Sequence, residues 1–467
     1  MAFLPELVLL ATALALFVVC LGNNRLRAAR RAALFGGLAV LLACGLCLGE
    51  NATLFDGAYR VDAFSQFLKL IFALGFLFAI LLAGELPDIR GDIRPEFFLF
   101  LSLSVAGLFM LVSSIDVITL FVALQTAAFP LYLLVPMRRE REGQRVQMES
   151  AIKYVMFGIA ANGVTLFGLS YLFGLTGSTS LPVMMAKLGT LAGSPLAVAG
   201  LALTFAGIFY KLAVFPFHFW TPDVYQGASH ESAGIIASLP KIGAVAILIR
   251  FATLAAPDNR AIAMLLTCLA VASMFYGNLI ALVQTDLKRL LGFSGIAHAG
   301  YALVGFVALD GAGYTAALYY ITGYLFMTLA CFVVIARVSK DGVNVAMSDL
   351  AGLHHRSPLL AVTLLVGIFA LAGVPPFVGF MGKLALLKAA LARGHLWLVI
   401  IAVINTAIAV YYYLCVIREA FARDTAGQSP IVLDASTRLL CWLLIIGTVA
   451  LGLAPSAILD LLAASLH

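Results

Sequence analysis

Residues 205–220 read F-A-G-I-F-Y-K-L-A-V-F-P-F-H-F-W. One lysine, Lys211, stands alone in an apolar run, and Pro216 follows it five residues later. A charge at the centre of a bilayer costs about 2.5–3.5 kcal/mol on insertion scales, so such a residue normally faces a polar interior and marks an ion or proton path. A proline inside the same run removes a helical hydrogen bond, which membrane helices tolerate where a cavity or neighbour satisfies the backbone. The stretch therefore predicts an interrupted membrane helix with an ionisable group beside its break.

The rest of the chain agrees. Its 467 residues are 63% hydrophobic and only 11% charged, with a mean hydropathy of +1.05. A soluble domain carries about 25% charged residues. Too little charge is present to cover a water-facing surface, which excludes a soluble enzyme, a disordered chain and a nucleic-acid-binding protein. Apolar runs bounded by charge or turn residues give fourteen candidate spans, at about 20 apolar residues per crossing. They cover roughly 3–22, 32–49, 62–84, 95–113, 116–136, 150–173, 195–218, 231–253, 261–283, 290–309, 312–336, 358–388, 395–417 and 439–463. The first run lacks a basic leader and is no signal peptide. Loops of at most about 20 residues leave no place for a soluble domain. The expectation is an all-α membrane protein forming a single polytopic domain over 1–467.

Lys and Arg concentrate in loops on the cytoplasmic side of a membrane protein. Odd-numbered loops hold eighteen, among them Arg25, Arg138, Arg141, Arg145, Lys288 and Arg423. Even-numbered loops hold five, Arg60, Lys187, Arg250, Arg260 and Arg393. That bias predicts cytoplasmic odd loops and both termini on the periplasmic side of a bacterial inner membrane. The six remaining basic residues are all lysines in or at the ends of spans: Lys69, Lys153, Lys211, Lys241, Lys383 and Lys388.

Lysine is the cation whose proton affinity responds most readily to burial, whereas arginine stays charged. A lysine-only set inside the spans is what a proton relay needs. Lys69 and Lys388 also suit snorkelling to the interface. Lys211, Lys241 and Lys383 do not. Lys383 closes G-V-P-P-F-V-G-F-M-G-K (373–383), in a run too long for one straight crossing. Spans 7 and 12 are thus both expected to be discontinuous, the pattern of an inverted-repeat transporter. Spans 4–8 (about 95–253) and 9–13 (about 261–417) form the predicted pair of inverted five-helix repeats, flanked by 1–94 and 418–467. Lys153 follows Glu149 at the i, i+4 spacing of a helical ion pair. His298, in S-G-I-A-H-A-G-Y, is mid-span and reads equally as a core histidine or a proton carrier. Cys44 and Cys47 form a C-x-x-C inside an apolar run and read as packing residues. No cysteine set for a cluster and no G-x-G-x-x-G after a strand is present, so no redox site, metal or bound cofactor is expected.

The stretches F-P-F-H-F-W-T-P-D-V-Y-Q-G-A (215–228), P-K (240–241), F-P-L-Y (129–132), E-S-A-I-K-Y (149–154), L-T-G-S-T-S-L (175–181), L-V-Q-T-D-L-K-R-L-L-G-F-S-G-I-A-H-A-G-Y (282–301) and G-V-P-P-F-V-G-F-M-G-K (373–383) carry a resemblance. They resemble the N-subunit family of bacterial respiratory complex I, the antiporter-like membrane subunits of NADH:quinone oxidoreductase. The resemblance runs over nearly the whole chain with motif order kept. It implies fourteen helices in two inverted five-helix repeats. It also implies a chain of buried lysines carrying protons, while partner subunits handle NADH, FMN, iron–sulfur clusters and quinone. Lys211, Lys241 and Lys383 fall at the family's seventh-, eighth- and twelfth-helix lysines. The L and M subunits and Mrp-type cation/proton antiporters look similar, but usually open the eighth helix with a histidine-containing segment where this chain has I-A-S-L-P-K.

One departure matters. The resemblance implies a glutamate in the fifth helix that pairs with the seventh-helix lysine. Here F-V-A-L-Q-T-A-A-F-P-L-Y (121–132) puts Gln125 there, and an amide cannot ionise. Asp116 is nine residues away, about 13.5 Å along a helix, too far to substitute. Glu149 and Glu231 are the remaining candidates, and His230–Glu231 is itself a second departure. The alternatives are a subunit of a related membrane-bound hydrogenase or Mrp-type antiporter, discriminated by gene neighbourhood, and a non-pumping structural homologue.

Overall fold

The computed structural model describes residues 1–22, 26–141, 146–191, 194–253, 259–422 and 429–466. Arg25, Arg145 and Arg423 lie outside the described residues. Among the described residues 81% are helical. Its helices are α1 (Leu4–Cys20), α2 (Leu26–Leu46), α3 (Ala63–Ala83), α4 (Arg94–Ser113), α5 (Val117–Leu134), α6 (Val146–Thr176), α7 (Leu181–Thr190), α8 (Pro195–Leu212), α9 (Trp220–Gly227) and α10 (His230–Ala252). They continue with α11 (Arg260–Ala281), α12 (Leu287–Val307), α13 (Gly311–Val338), α14 (Leu353–Arg356), α15 (Pro358–Ala372), α16 (Val378–Ala392), α17 (Leu396–Ala422), α18 (Ala435–Leu453) and α19 (Pro455–Leu466). Among the described residues, twelve helices are long and apolar enough to cross a membrane, and α1 and α15 are shorter apolar helices.

Several boundaries differ from the sequence expectation. Helix α2 starts at Leu26, so Arg27, Arg30 and Arg31 are its first turns rather than a loop. The loop after it holds an antiparallel hairpin, β1 (Ala52–Leu54) and β2 (Tyr59–Val61), a small exception to an all-α chain. The amphipathic α7 was not anticipated. The last run is two helices, parted before Pro455, because a proline lacks the N–H needed to continue α18.

The two interrupted runs share one backbone device. Helix α8 ends with Ala213 in a left-handed conformation (φ 65°). Ala213 N–H donates to Tyr210 O at 3.0 Å and Val214 N–H to Phe209 O at 2.9 Å. Helix α15 ends with Gly373 at φ 85°, where Gly373 N–H donates to Ala370 O at 3.1 Å and Val374 N–H to Phe369 O at 2.9 Å. Both are Schellman caps in the same register, and each is followed two residues later by a proline-bearing turn.

Burial sorts the helices. Every residue in the spanning windows of α10 and α12 is buried, and 94% of those in α13, against 33% in α2, α17 and α18. Glycine lets α11 and α12 approach closely: a side chain at Gly277 would collide with the Ala297 backbone, and one at Gly300 with Ala270 O. Small residues at such contacts are the usual basis of tight membrane-helix pairing. The central helices α10, α12 and α13 carry the polar residues described next.

Candidate functional site: a lysine–histidine axis

Lys241 lies one residue after Pro240 in α10 and is 1% exposed. Its Nζ donates to Gly295 O of α12 at 3.0 Å and sits 5.1 Å from the ring centroid of Tyr324 on α13. Gly295 has no side chain to block that approach: a Cβ there would stand 2.9 Å from Lys241 Nζ. His298 is one turn further along α12, and its ring lies 5.1 Å from the Tyr324 ring. Its Nδ1 meets the Tyr320 hydroxyl, and its Nε2 is 3.0 Å from the Tyr413 hydroxyl. Tyr413 also meets Ser294 Oγ at 2.5 Å. On the other side the His298 ring is 6.2 Å from Tyr301, and the Tyr301 ring carries Lys383 Nζ at 4.7 Å. Lys383 donates to Leu371 O at 3.2 Å and Ala372 O at 3.1 Å. Those are the last carbonyls of α15, left free by the Schellman cap, at the negative end of the helix dipole. Both lysines are thus satisfied by backbone carbonyls and aromatic faces, with His298 between them and hydroxyls on both its ring nitrogens. The array gathers exchangeable N–H and O–H groups, the kind that general acid–base chemistry uses, along one buried axis.

Lys211 is the penultimate residue of α8 and 9% exposed. Among the described residues it makes no hydrogen bond or ion pair. Gln125 accepts a hydrogen bond from Asn162 Nδ2 of α6 at 2.7 Å. Asn162 in turn packs against Gly207, one turn before Lys211 on α8. An asparagine therefore stands between the fifth-helix position and the lysine helix. Asp116 is engaged as the N-cap of α5, accepting from Ile118 and Thr119 N–H. Glu149 pairs with Lys153 at 2.6 Å, and Lys153 also reaches Asp223 at 2.6 Å. Lys153 is 36% exposed and Glu149 66%, so this pair belongs to the protein surface rather than to the buried axis. Asp223 takes a further contact from Arg289 at 2.7 Å. Burial opposes its ionisation, but the hydrogen bonds from Lys153 and Arg289 outweigh it and hold the carboxyl below the usual range.

Two clusters were missed by the sequence reading. Lys69, taken as a snorkelling residue, is fully buried and pairs at 2.6 Å with Glu6 of α1. The Tyr59 hydroxyl donates to the same carboxylate at 2.5 Å. Near the odd loops, Asp88 is fully buried between Arg138 and Arg141, each at 2.8 Å. Burial pushes its carboxyl above the ordinary value in spite of both arginines. Arg138 also caps Gln226 O at 2.7 Å, and the buried Lys288 donates to Ala228 O at 2.7 Å. Arg138 and Lys288 are therefore internal braces at the end of α9, not free loop charges. A lone acid in an apolar run, Glu6, was the available signal for the first cluster, whereas Asp88 lies in a charged loop among Glu85, Arg90 and Asp92 and carried no such signal. Among the described residues no group of His, Cys, Asp and Glu is arranged to hold a metal ion.

A polytopic bundle with two interrupted helices and an internal lysine–histidine axis is an antiporter-like membrane subunit in its architecture. The family described as "NADH:quinone oxidoreductase/Mrp antiporter, TM" matches residues 114–409, and the chain belongs to it. It is 66% identical over 466 residues to "NADH-quinone oxidoreductase subunit N 2" of Opitutus terrae, covering 100% of this chain and 97% of that one. It is 43% identical to the protein of the same name in Solidesulfovibrio magneticus, over 99% of this chain and 97% of that one. A chain in the structure of respiratory complex I from Thermus thermophilus with bound aureothin superimposes with a TM-score of 0.85 at 31% identity, covering 99% of this chain and all of that chain.

Proposed function

We propose that the chain is the proton-translocating, antiporter-like subunit N of an NADH:quinone oxidoreductase in the bacterial inner membrane. It carries protons through buried lysines while partner subunits hold NADH, FMN, iron–sulfur clusters and quinone. Its enzyme activity is that of the assembly. The observation that carries the reading is the spacing of Lys241 and Lys383 about His298, each lysine over a tyrosine ring that faces the histidine. Lys211 supplies the third lysine, at the end of the first broken helix. Full identity of name among close relatives supports the assignment to complex I over a hydrogenase or an Mrp antiporter.

The finer architecture belongs to the same proposal. Counting α1 and the α15–α16 pair beside the twelve long helices gives fourteen crossings; an even number leaves both termini on one side, and the excess of Lys and Arg in the odd loops supports the periplasmic side for both. Residues 95–253 and 261–417 are the two inverted five-helix repeats, and the matched caps at Ala213 and Gly373, each in the fourth span of its repeat, support the pairing.

The test is proton yield per electron in reconstituted complex, wild type against Lys211→Ala and Lys241→Met. A lower yield with assembly intact is expected. An unchanged yield in both variants leaves the chain a structural spacer.

A further inference from the structure

Two basic residues of the even-numbered loops stand at a cavity that the lysine–histidine axis does not reach. The even-numbered loops hold only Arg60, Lys187, Arg250, Arg260 and Arg393, and two of these five line one cavity of about 660 Å³ with Asp62 and Asn51 at its polar end. Its walls are apolar, from Phe64, Ile115, Leu181, Met185 and Ile249. It sits where the first turn of α3, the first turn of α7, the last turn of α10 and the last turn of α19 (Ala464, Ser465) meet. Element ends gathered in this way mark the boundary between hydrocarbon and headgroup.

The charges around this cavity do not balance. Among the described residues that line it Asp62 is the single acid, and it already caps α3 through Ser65 N–H at 2.8 Å. Arg60 Nε and Arg250 Nη2 both stand 3.6 Å from its carboxylate, beyond hydrogen-bonding distance for either. Arg250 spends one N–H on Val112 O at 2.7 Å. Its Nε is buried without a partner, and its guanidinium lies 5.1 Å from the Phe64 ring. Two guanidiniums with spare donors and one shared, preoccupied carboxylate leave a net positive recess. Arginine's planar fork suits phosphate oxygens, and a buried donor left unpaired is costly. A polar mouth with two cations above an apolar throat matches the headgroup and upper chains of a lipid better than a free ion.

We propose that this cavity is a binding site for an anionic bilayer phospholipid. Its phosphate lies between Arg60 and Arg250, and its acyl chains run along Phe64, Leu181 and Met185. The site is separate from the lysine–histidine axis, so the proposal stands whether or not that axis moves protons.

Purified full-length chain in phosphatidylcholine nanodiscs, doped with phosphatidylglycerol bearing a diazirine near the glycerol, tests it by mapping photo-adducts. Adducts are expected on the peptides of Phe64 and Met185. Unlabelled phosphatidylglycerol is expected to compete, and millimolar inorganic phosphate or added phosphatidylcholine is not. Arg60→Gln, at a half-exposed position, should lower the labelling by about fivefold, close to 1 kcal/mol, and Arg250→Gln by at least as much. Labelling indifferent to both substitutions overturns the proposal. Competition by inorganic phosphate identifies a free-phosphate site and overturns the lipid. Labelling of the isolated chain that vanishes in the assembled complex shows a neighbouring subunit in the cavity, which also overturns it.

Discussion

Lys69 Nζ lies 2.6 Å from Glu6 Oε1, with both side chains closed off from the surroundings at 0% and 3% exposure. The pair ties α1 to α3, and Tyr59 of the hairpin donates to the same carboxylate. Removing one partner of a buried ion pair leaves an uncompensated charge and costs about 3–5 kcal/mol, whereas replacing both with apolar residues is often neutral or stabilising. Glu6→Gln and Lys69→Met are each expected to reduce the chain recovered in membranes and to lower its thermal unfolding temperature. The double variant Glu6→Leu/Lys69→Met is expected to recover most of that loss. A double variant as unstable as the worse single one would show that the pair is not the tie.

Lys383 separates charge from proton exchange. Lys383→Arg keeps a donor for Leu371 O and Ala372 O but cannot release a proton near neutral pH. Lys383→Met removes both. Assembly close to wild type is expected for the arginine variant, with proton yield per electron lowered in both. Normal yield from Lys383→Arg would mean that the residue only caps α15. The measurement is acidification by the reconstituted complex at matched electron-transfer rate.

Gln125→Glu restores an ionisable group to the α5 face. The carboxylate keeps an acceptor for Asn162 Nδ2, so the substitution fits without repacking. It is expected to alter the pH profile of turnover, communicated through Asn162 to the α8 turn bearing Lys211. An unaltered profile and unaltered coupling would mean that Gln125 and Lys211 do not communicate.

Asp223 gives a pH dependence with a definite sign. Its carboxyl is held below the usual range by Lys153 and Arg289, so it stabilises the folded chain above the ordinary aspartate value of about 4 and loses that contribution as pH falls through its folded value. The junction of α6, α9 and α12 is expected to loosen on acidification. Thermal unfolding of Asp223→Asn should lie below wild type at pH 6, and the gap should close on acidification below about pH 4. A gap constant with pH would assign the effect to hydrogen bonding alone.

The helices and their breaks were legible in the sequence because apolar runs and prolines act locally. Pro216 and Pro375–Pro376 announced the interruptions, and the lysines inside apolar runs announced three of the buried cations. The i, i+4 spacing also gave Lys153–Glu149, though not its partner Asp223. What periodicity does not encode is which span lies beside which. The Glu6–Lys69 pair, the Tyr320 and Tyr413 hydroxyls on His298, and the asparagine beside Gln125 all depend on tertiary neighbours. Counting loop charges likewise misjudged Arg138 and Lys288, because a loop residue tucked under a helix end is as buried as a core residue.

The cap that ends α15 has a mechanical consequence. Its two free carbonyls belong to one helix, and the lysine they hold belongs to the next. Carbonyl dipoles act over short distances, so sliding or rotating α16 against α15 by a fraction of an ångström alters the energy of the proton on Lys383 directly. On the proposed proton-carrying role of Lys383, the joint between the two half-helices would be the place where a displacement becomes a change in proton affinity.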